Sequence, residues 1–244
     1  MSDATVNRPG AVIFGARNLG RAIIDALIAD GWGVTGIARS DDTLQGVADA
    51  GATPLRGDIT DPASVAECLR AGAEAHGRVD LAVNAASAYG GTRSGPFGGG
   101  PIADAAADAF DAWGVAPARS AFSFLSAAGR FALDQGGPAT LVQATGGSAR
   151  RAMPGRGLWA AGAFGVRAIT SAAAQELREH GVHVALLIID AGIEPLSGLR
   201  EGQDRDSSAD PRQIADAVRF LATQGARAAT HELQVTPLAE RWVP

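Results

Sequence analysis

The sequence predicts an α/β fold, a single domain built on a doubly wound parallel β-sheet flanked by helices on both faces. Three observations lead there. Short apolar or β-branched runs alternate with helix-length amphipathic stretches from residue 11 onward. The run "HVALLII" (183–189) is apolar after its first residue, as a strand covered on both faces requires. The length, 244 residues, suits one α/β domain, and no linker or internal repeat divides the chain.

The elements follow in order. Residues 1–10 are polar and read as a short disordered tail, and 11–244 as the domain. "AVIF" (11–14) is the first strand and "LGRAIIDALIADG" (19–31) its helix, closed by Gly31. "GVTGIA" (33–38) is the second strand, and "TLQGVADAG" (43–51) the next helix. After "ATPLRGD" (52–58), Asp61 caps a helix that carries Pro62 at its first position. "VDLAVNAA" (79–86) is the fourth strand, and the Gly-rich stretch 87–102 reads as a mobile loop. A long helix over about 104–135, broken near Pro117, precedes the strand "ATLVQAT" (139–145). A helix over 158–179 and the buried strand 183–189 come next. The charged stretch 194–211 reads as a lid or a disordered excursion. The helix "RQIADAVRFLATQ" (212–224) and the strand "THELQV" (230–235) close the fold.

Composition removes several function classes. The net charge of -5 gives no nucleic-acid footprint. No apolar run is long enough to span a bilayer. Cys68 is the single cysteine, which excludes an internal disulfide and fits a cytoplasmic setting. No metal site is expected. All 21 basic residues are arginine and Tyr89 is the single tyrosine. Chemistry that needs a lysine is therefore excluded, and chemistry that needs a tyrosine must use Tyr89.

The first strand runs into "GARNLG" (15–20), which opens a helix. A glycine-rich turn in that place lets the backbone approach a pyrophosphate, and the helix N-terminus offers free N–H groups and a favourable dipole. Gly15, Leu19 and Gly20 frame this turn. Asn18 replaces its middle glycine, as a side chain that tolerates left-handed backbone. Arg17 either holds a phosphate or obstructs one. The second strand ends in "IARS" (37–40), where an acidic residue would bind a ribose 2′-hydroxyl and an arginine suits a 2′-phosphate. Arg39 and Ser40 thus favour NADP(H) over NAD(H), the alternative for Arg39 being a solvated surface side chain.

With these motifs the chain resembles the short-chain dehydrogenase/reductase family. "VIFGARNLGRAI", "LRGDITDPASV", "RVDLAVNAAS" and "SAAAQELREHGVHVALLIIDAG" carry the resemblance over nearly the whole length, on a Rossmann-type domain. The resemblance implies that Asp58, with Ile59 beside it, meets the adenine, and that Asn84 and Ala85 stand where the family's "NNAG" supports the sheet. The glycine pattern is one residue shorter than the family's TGxxxGxG. The family transfers a hydride between a nicotinamide and a carbonyl or alcohol carbon. A tyrosine moves the proton, a lysine tunes it, a serine orients the oxygen, and an asparagine usually assists. Aligned on "TLVQATGG" (140–147), Gly146 falls in the serine position. Trp159 then takes the tyrosine position, Ala163 the lysine position and Pro117 approximately that of the asparagine. An indole has no proton that titrates in the useful range, and Gly and Ala have no polar side chain. The chain thus resembles an atypical branch of the family that lacks the Ser-Tyr-Lys set.

Few side chains are placed to substitute. The resemblance places Tyr89 at the border of the substrate pocket, as either a stand-in acid or a surface anchor. Of the residues flanking Gly146, Thr145 is expected to face the core and Ser148 to lie in a loop. His180 and His183 belong to a helix end and a strand away from the site. Asp190 replaces the family's Pro-Gly after the sixth strand, as a ligand contact or a turn residue. Arg150 and Arg151 attract an anion or stand in solvent. Three functions compete: an NADP(H)-binding pseudo-reductase, favoured here; an oxidoreductase or elimination enzyme with a non-standard site; and a nucleotide-free scaffold with Trp159 filling the nicotinamide space. Arg39, Asp58 and Asn84 weigh against the scaffold. The small, apolar helices over 104–135 and 158–179 are expected to form a homodimer or homotetramer, and an unidentified small molecule is the other expected partner.

Overall fold

The computed structural model describes residues 8–86 and 95–240. Strands β1 (Gly10–Phe14), β2 (Gly33–Ala38), β3 (Thr53–Arg56), β4 (Leu81–Asn84), β5 (Ala139–Gly146) and β6 (Val182–Ile189) lie in one sheet. A short pair, β7 (Gly192–Ile193) and β8 (Ser208–Ala209), stands apart, and β9 (Glu232–Val235) closes the main sheet at the β6 edge. The 7-stranded order is β3-β2-β1-β4-β5-β6-β9, and every pairing is parallel. The strand order reverses at β1, so a crevice opens between the carboxyl ends of β1 and β4. That is where open α/β sheets take their ligands.

The helices are α1 (Leu19–Ala29), α2 (Asp41–Asp49), α3 (Pro62–His76), α4 (Ala107–Phe110), α5 (Ala116–Gln135), α6 (Gly157–Leu177) and α7 (Pro211–Ala222). One face of the sheet is covered by α1 and α7, whose Leu19, Ile23, Leu27, Ile214, Val218 and Leu221 share a core with Ile13, Val83 and Leu187. The other face is covered by α3, α5 and α6, where Phe124 meets Phe14 edge-on at 5.8 Å in a core with Val65, Leu69 and Leu177. Each fully buried side chain of this size stabilises the fold by about 1.5–3 kcal/mol, so the two layers jointly hold the sheet. Asp61 accepts from Ala63 N at 3.0 Å with Pro62 behind it, the cap expected from the sequence. Among the described residues no helix is long and apolar enough to cross a membrane.

Three local features refine the sequence expectation. Gly10 already belongs to β1 and Pro9 accepts from Gly33 N at 2.9 Å, so the described part of the tail is tied to the sheet. The long helix breaks before Pro117, as a π-helical turn over Asp111–Val115 between α4 and α5. Proline has no N–H for the carbonyl four residues earlier and its ring crowds that group, so the wider turn relieves the conflict at Trp113. In the stretch 194–211, β8 pairs with β7, and Glu194 N donates to Ala209 O at 2.9 Å.

Candidate nucleotide and catalytic sites

At the end of β1, Gly15 has φ +83°, and a Cβ there would lie 2.5 Å from the backbone of Ala86, so only glycine fits between β1 and β4. The N–H groups of Gly15 and Ala16 both donate to Ile37 O, and Arg17 N turns back to Gly15 O at 2.9 Å. Gly20 is equally constrained, since its Cβ would meet Gly15 O at 2.4 Å. Leu19 is buried in the core and Arg17 is exposed. No side chain caps α1, which leaves its N-terminal dipole open to an anion. Asn18 corrects the sequence expectation. Its φ is -107°, and no non-glycine residue among those described has positive φ. Its carboxamide explains its presence better: Nδ2 donates to Glu194 O at 3.1 Å and Oδ1 accepts from Leu196 N at 2.8 Å.

Beyond β2, the Arg39 guanidinium is exposed and makes no hydrogen bond or ion pair among the described residues, while its carbonyl is held by Arg56, which also pairs with Asp41. Ser40 precedes α2 and donates to Thr43 Oγ1 at 2.8 Å. Asp58 accepts from Thr60 N at 2.9 Å and from Thr60 Oγ1 at 2.8 Å. Partial burial pushes its pKa up, but those two bonds and the Arg39 charge outweigh it and hold the carboxyl below its ordinary value. Ile59 is buried beside it. Asn84 is also buried, donating to Gln143 Oε1 at 3.0 Å and accepting from Ala86 N at 3.1 Å. Ala85 N donates to Phe14 O at 2.9 Å. Asn84 and Ala85 thus tie β1, β4 and β5 together at the crevice, and the Asn84 carboxamide is already spent on the sheet.

At the carboxyl end of β5 the structure brings together the positions that the spacing paired. A Cβ on Gly146 would stand 3.4 Å from Trp159 Cζ2, and Ala163 lies buried one turn further along α6. Trp159 belongs to an aromatic trio that sequence reasoning missed. Its ring centroid is 6.0 Å from that of Trp113 and 5.8 Å from that of Phe97, and Phe97 and Trp113 are 4.9 Å apart, all near edge-to-face. Arg156 stacks over Phe97 at 5.4 Å. The only sequence signal was Trp113 four residues before Pro117. Phe97 lay in the Gly-rich loop, where the buried Gly98 and Gly99 admit Arg156 and Leu158 against their α-carbons. Pro117, the second residue of α5, faces Gly162, whose Cβ would meet Trp113 O at 2.4 Å and Pro117 Cγ at 3.2 Å. Tyr89 lies outside the described residues.

Charge beside this trio is internally paired. Asp190 is buried, with Arg151 Nη1 at 3.1 Å and Gln234 Nε2 at 3.3 Å on the same carboxylate oxygen. Gly147 makes room for it, since a Cβ there would fall 1.8 Å from Asp190 Oδ1. Asp190 is thus a buried ion-pair partner, and Arg151 is not a solvated side chain. Arg150 lies 3.7 Å from Glu232, which Arg167 grips with two bonds at 2.6 and 2.9 Å. Ser148 is buried and Thr145 only half-buried, the reverse of the expectation, because a short 3₁₀ turn (Gly147–Ala149) folds Ser148 inward. His183 packs beside His231 at 6.1 Å on the β9 side, and His180 is exposed at the end of α6. Among the described residues no cluster of His, Cys, Asp and Glu is placed to hold a metal ion.

A sequence profile described as short chain dehydrogenase matches residues 10–193. The chain is 27% identical over 238 residues to the short-chain dehydrogenase/reductase eriH of Hericium erinaceus, covering 89% of this chain and 91% of that one. Its fold is similar to an alcohol dehydrogenase of the archaeon Thermococcus sibiricus complexed with 5-hydroxy-NADP (TM-score 0.79, 23% identity, 97% of this chain and 100% of that one). It is also similar to a metagenomic short-chain oxidoreductase in complex with NADP (TM-score 0.73, 23% identity, 96% and 99% covered).

Proposed function

Because the chain belongs to the short-chain dehydrogenase family, we propose that it is a pseudo-reductase that binds NADP(H) and does not interconvert carbonyls and alcohols. One observation supports this reading: Gly146, Trp159 and Ala163, which the family resemblance assigns to the serine, tyrosine and lysine positions, come together, and the indole packs on the glycine as part of an aromatic trio. Each acid or base that such chemistry relies on contributes roughly 10²–10⁴-fold, so their joint replacement removes ordinary catalysis.

The nucleotide half has residues that fit a dinucleotide. Gly15 keeps the turn after β1 free of side-chain bulk, the N-terminus of α1 is uncapped, and the Asp58 loop flanks the place for an adenine. The exposed Arg39 guanidinium at the end of β2 would pair with a 2′-phosphate. The NADP complexes of the two structural relatives support the same assignment. A bound nicotinamide would supply hydride chemistry, and this chain's residues would hold it beside Trp159 without offering a proton.

The reading is tested by incubating the protein with NADPH and a panel of aldehydes, ketones and diketones while following absorbance of the reduced cofactor. No carbonyl-dependent oxidation above the protein-free rate is expected. Turnover near the usual enzymic level of about 10 per second would overturn it.

A further inference from the structure

A side chain of the nucleotide turn ties that turn to the segment that follows β6. Asn18 is the last residue before α1, where a dinucleotide's pyrophosphate settles in this class of sheet. Both arms of its carboxamide are engaged with a single backbone segment, Nδ2 with Glu194 O at 3.1 Å and Oδ1 with Leu196 N at 2.8 Å. That segment is the strap that leaves β6. In the sheet β6 is separated from β1 by β5 and β4, a lateral distance of about 14 Å at ~4.8 Å per strand. The strap from Asp190 to Leu196 spans it and reaches the turn after β1.

The strap is built rather than loosely draped. Its start pairs with β8, and Ile193 and Leu196 pack on the core shared by α1 and α7. The Glu194 carboxylate, at 17% side-chain exposure, pairs with Arg205 at 3.4 Å and ties the strap to the segment that leads into β8. Asn18 fits this arrangement as a glycine would not, for it lies outside left-handed backbone and caps no helix N–H with its side chain.

We infer that Asn18 is a latch that holds the strap over the pyrophosphate position, so that a nucleotide must break both of its hydrogen bonds to enter. The inference rests on the proposed NADP(H) binding. It makes Asn18 a residue that sets nucleotide affinity by gating the crevice, not by touching a reacting atom.

The test compares the full-length protein with Asn18→Gly, and with Asn18→Ala as a second variant should glycine loosen the turn. Native-state hydrogen exchange at the Leu196 amide is expected to be at least tenfold faster in both variants, with β6 protected as before. NADPH is expected to bind them at least fivefold more tightly than the parent, by calorimetry. Unchanged exchange at Leu196 would overturn the latch. So would a parent that binds NADPH as tightly as the variants do. If neither parent nor variants bind NADPH, the nucleotide reading fails and takes the gate with it, a result separable from a failed latch on a working nucleotide site.

Discussion

In the proposed reading, Trp159 keeps a site's shape while ending its chemistry. Its indole reaches Gly146 from a position four residues before Ala163 on α6, so the end of β5 and the first turns of α6 meet there. This much was legible in the sequence, because the separation between Gly146 and Trp159 is fixed by one strand, one turn and one helix start. The partners of Trp159 were not legible, since Phe97 and Trp113 come from separate segments. The Asp190–Arg151 pair was equally hidden: the two are 39 positions apart, and nothing in either neighbourhood names the other. Two predictions belong to this scale. Arg39→Ala is expected to weaken NADPH binding at least tenfold and leave NADH binding unchanged, because the loss is confined to a charge-assisted contact with a 2′-phosphate, worth roughly 1.5–3 kcal/mol. Equal losses for both nucleotides, by parallel titration, would refute that role. Arg151→Ala is expected to cost about 3 kcal/mol in urea unfolding, because it strands a carboxylate that is only 9% exposed. Asp190→Asn should cost less, since no uncompensated negative charge remains.

Elements explain where the sequence reading held and where it slipped. Strand positions followed from apolar runs, and Asp61 with Pro62 marked α3, because each signal is local. The break expected near Pro117 takes the form of a π turn just before α5, because the consequence of Pro117 falls on the carbonyl of Trp113, one turn upstream. That carbonyl lies against Gly162, and the small residues of α6 are what allow the close approach. The attachment of the strap was hidden for a related reason, since a polar, charged stretch gives no sign that Asn18, remote in sequence, will hold it. The join between α3 and β2 supplies a pH prediction. His76 Nε2 lies 3.0 Å from Thr35 Oγ1, and its ring fills the space that a side chain on Gly33 would need. Burial lowers the His76 pKa from 6.5 against the weaker opposite pull of its Val34 hydrogen bond. A histidine whose folded pKa is depressed adds stability that is complete above its unfolded pKa and is lost as pH falls through 6.5 and then through the folded value. The thermal midpoint of the wild type should therefore drop more steeply between about pH 7 and 5.5 than that of His76→Gln. Equal slopes would contradict the assignment.

At the scale of the whole molecule, the sheet, its two helical layers and the crevice at β1 and β4 were the most legible part of the chain. They follow from the alternation of elements rather than from any one residue. Assembly is a proposal at this scale. Phe122 is 55% exposed, one turn along α5 from Ala118, which lies against Gly165 of α6, and the neighbouring Phe164 is 43% exposed. Two such rings on adjoining helices suit a second copy of the chain, as a dimer or a pair of dimers. Phe122→Glu with Phe164→Glu is expected to yield a monomer in sedimentation velocity while the parent sediments as an oligomer; a monomeric parent would end that proposal. The central claim, a dinucleotide fold that keeps its cofactor without its acid–base groups, is tested most directly by titrating the protein with NADPH and NADH under tryptophan fluorescence. The account expects Trp159 emission to change with micromolar NADPH, on the order of 10⁻⁶ M, and markedly less readily with NADH. No response to either nucleotide up to roughly millimolar would contradict it and leave a scaffold without a cofactor.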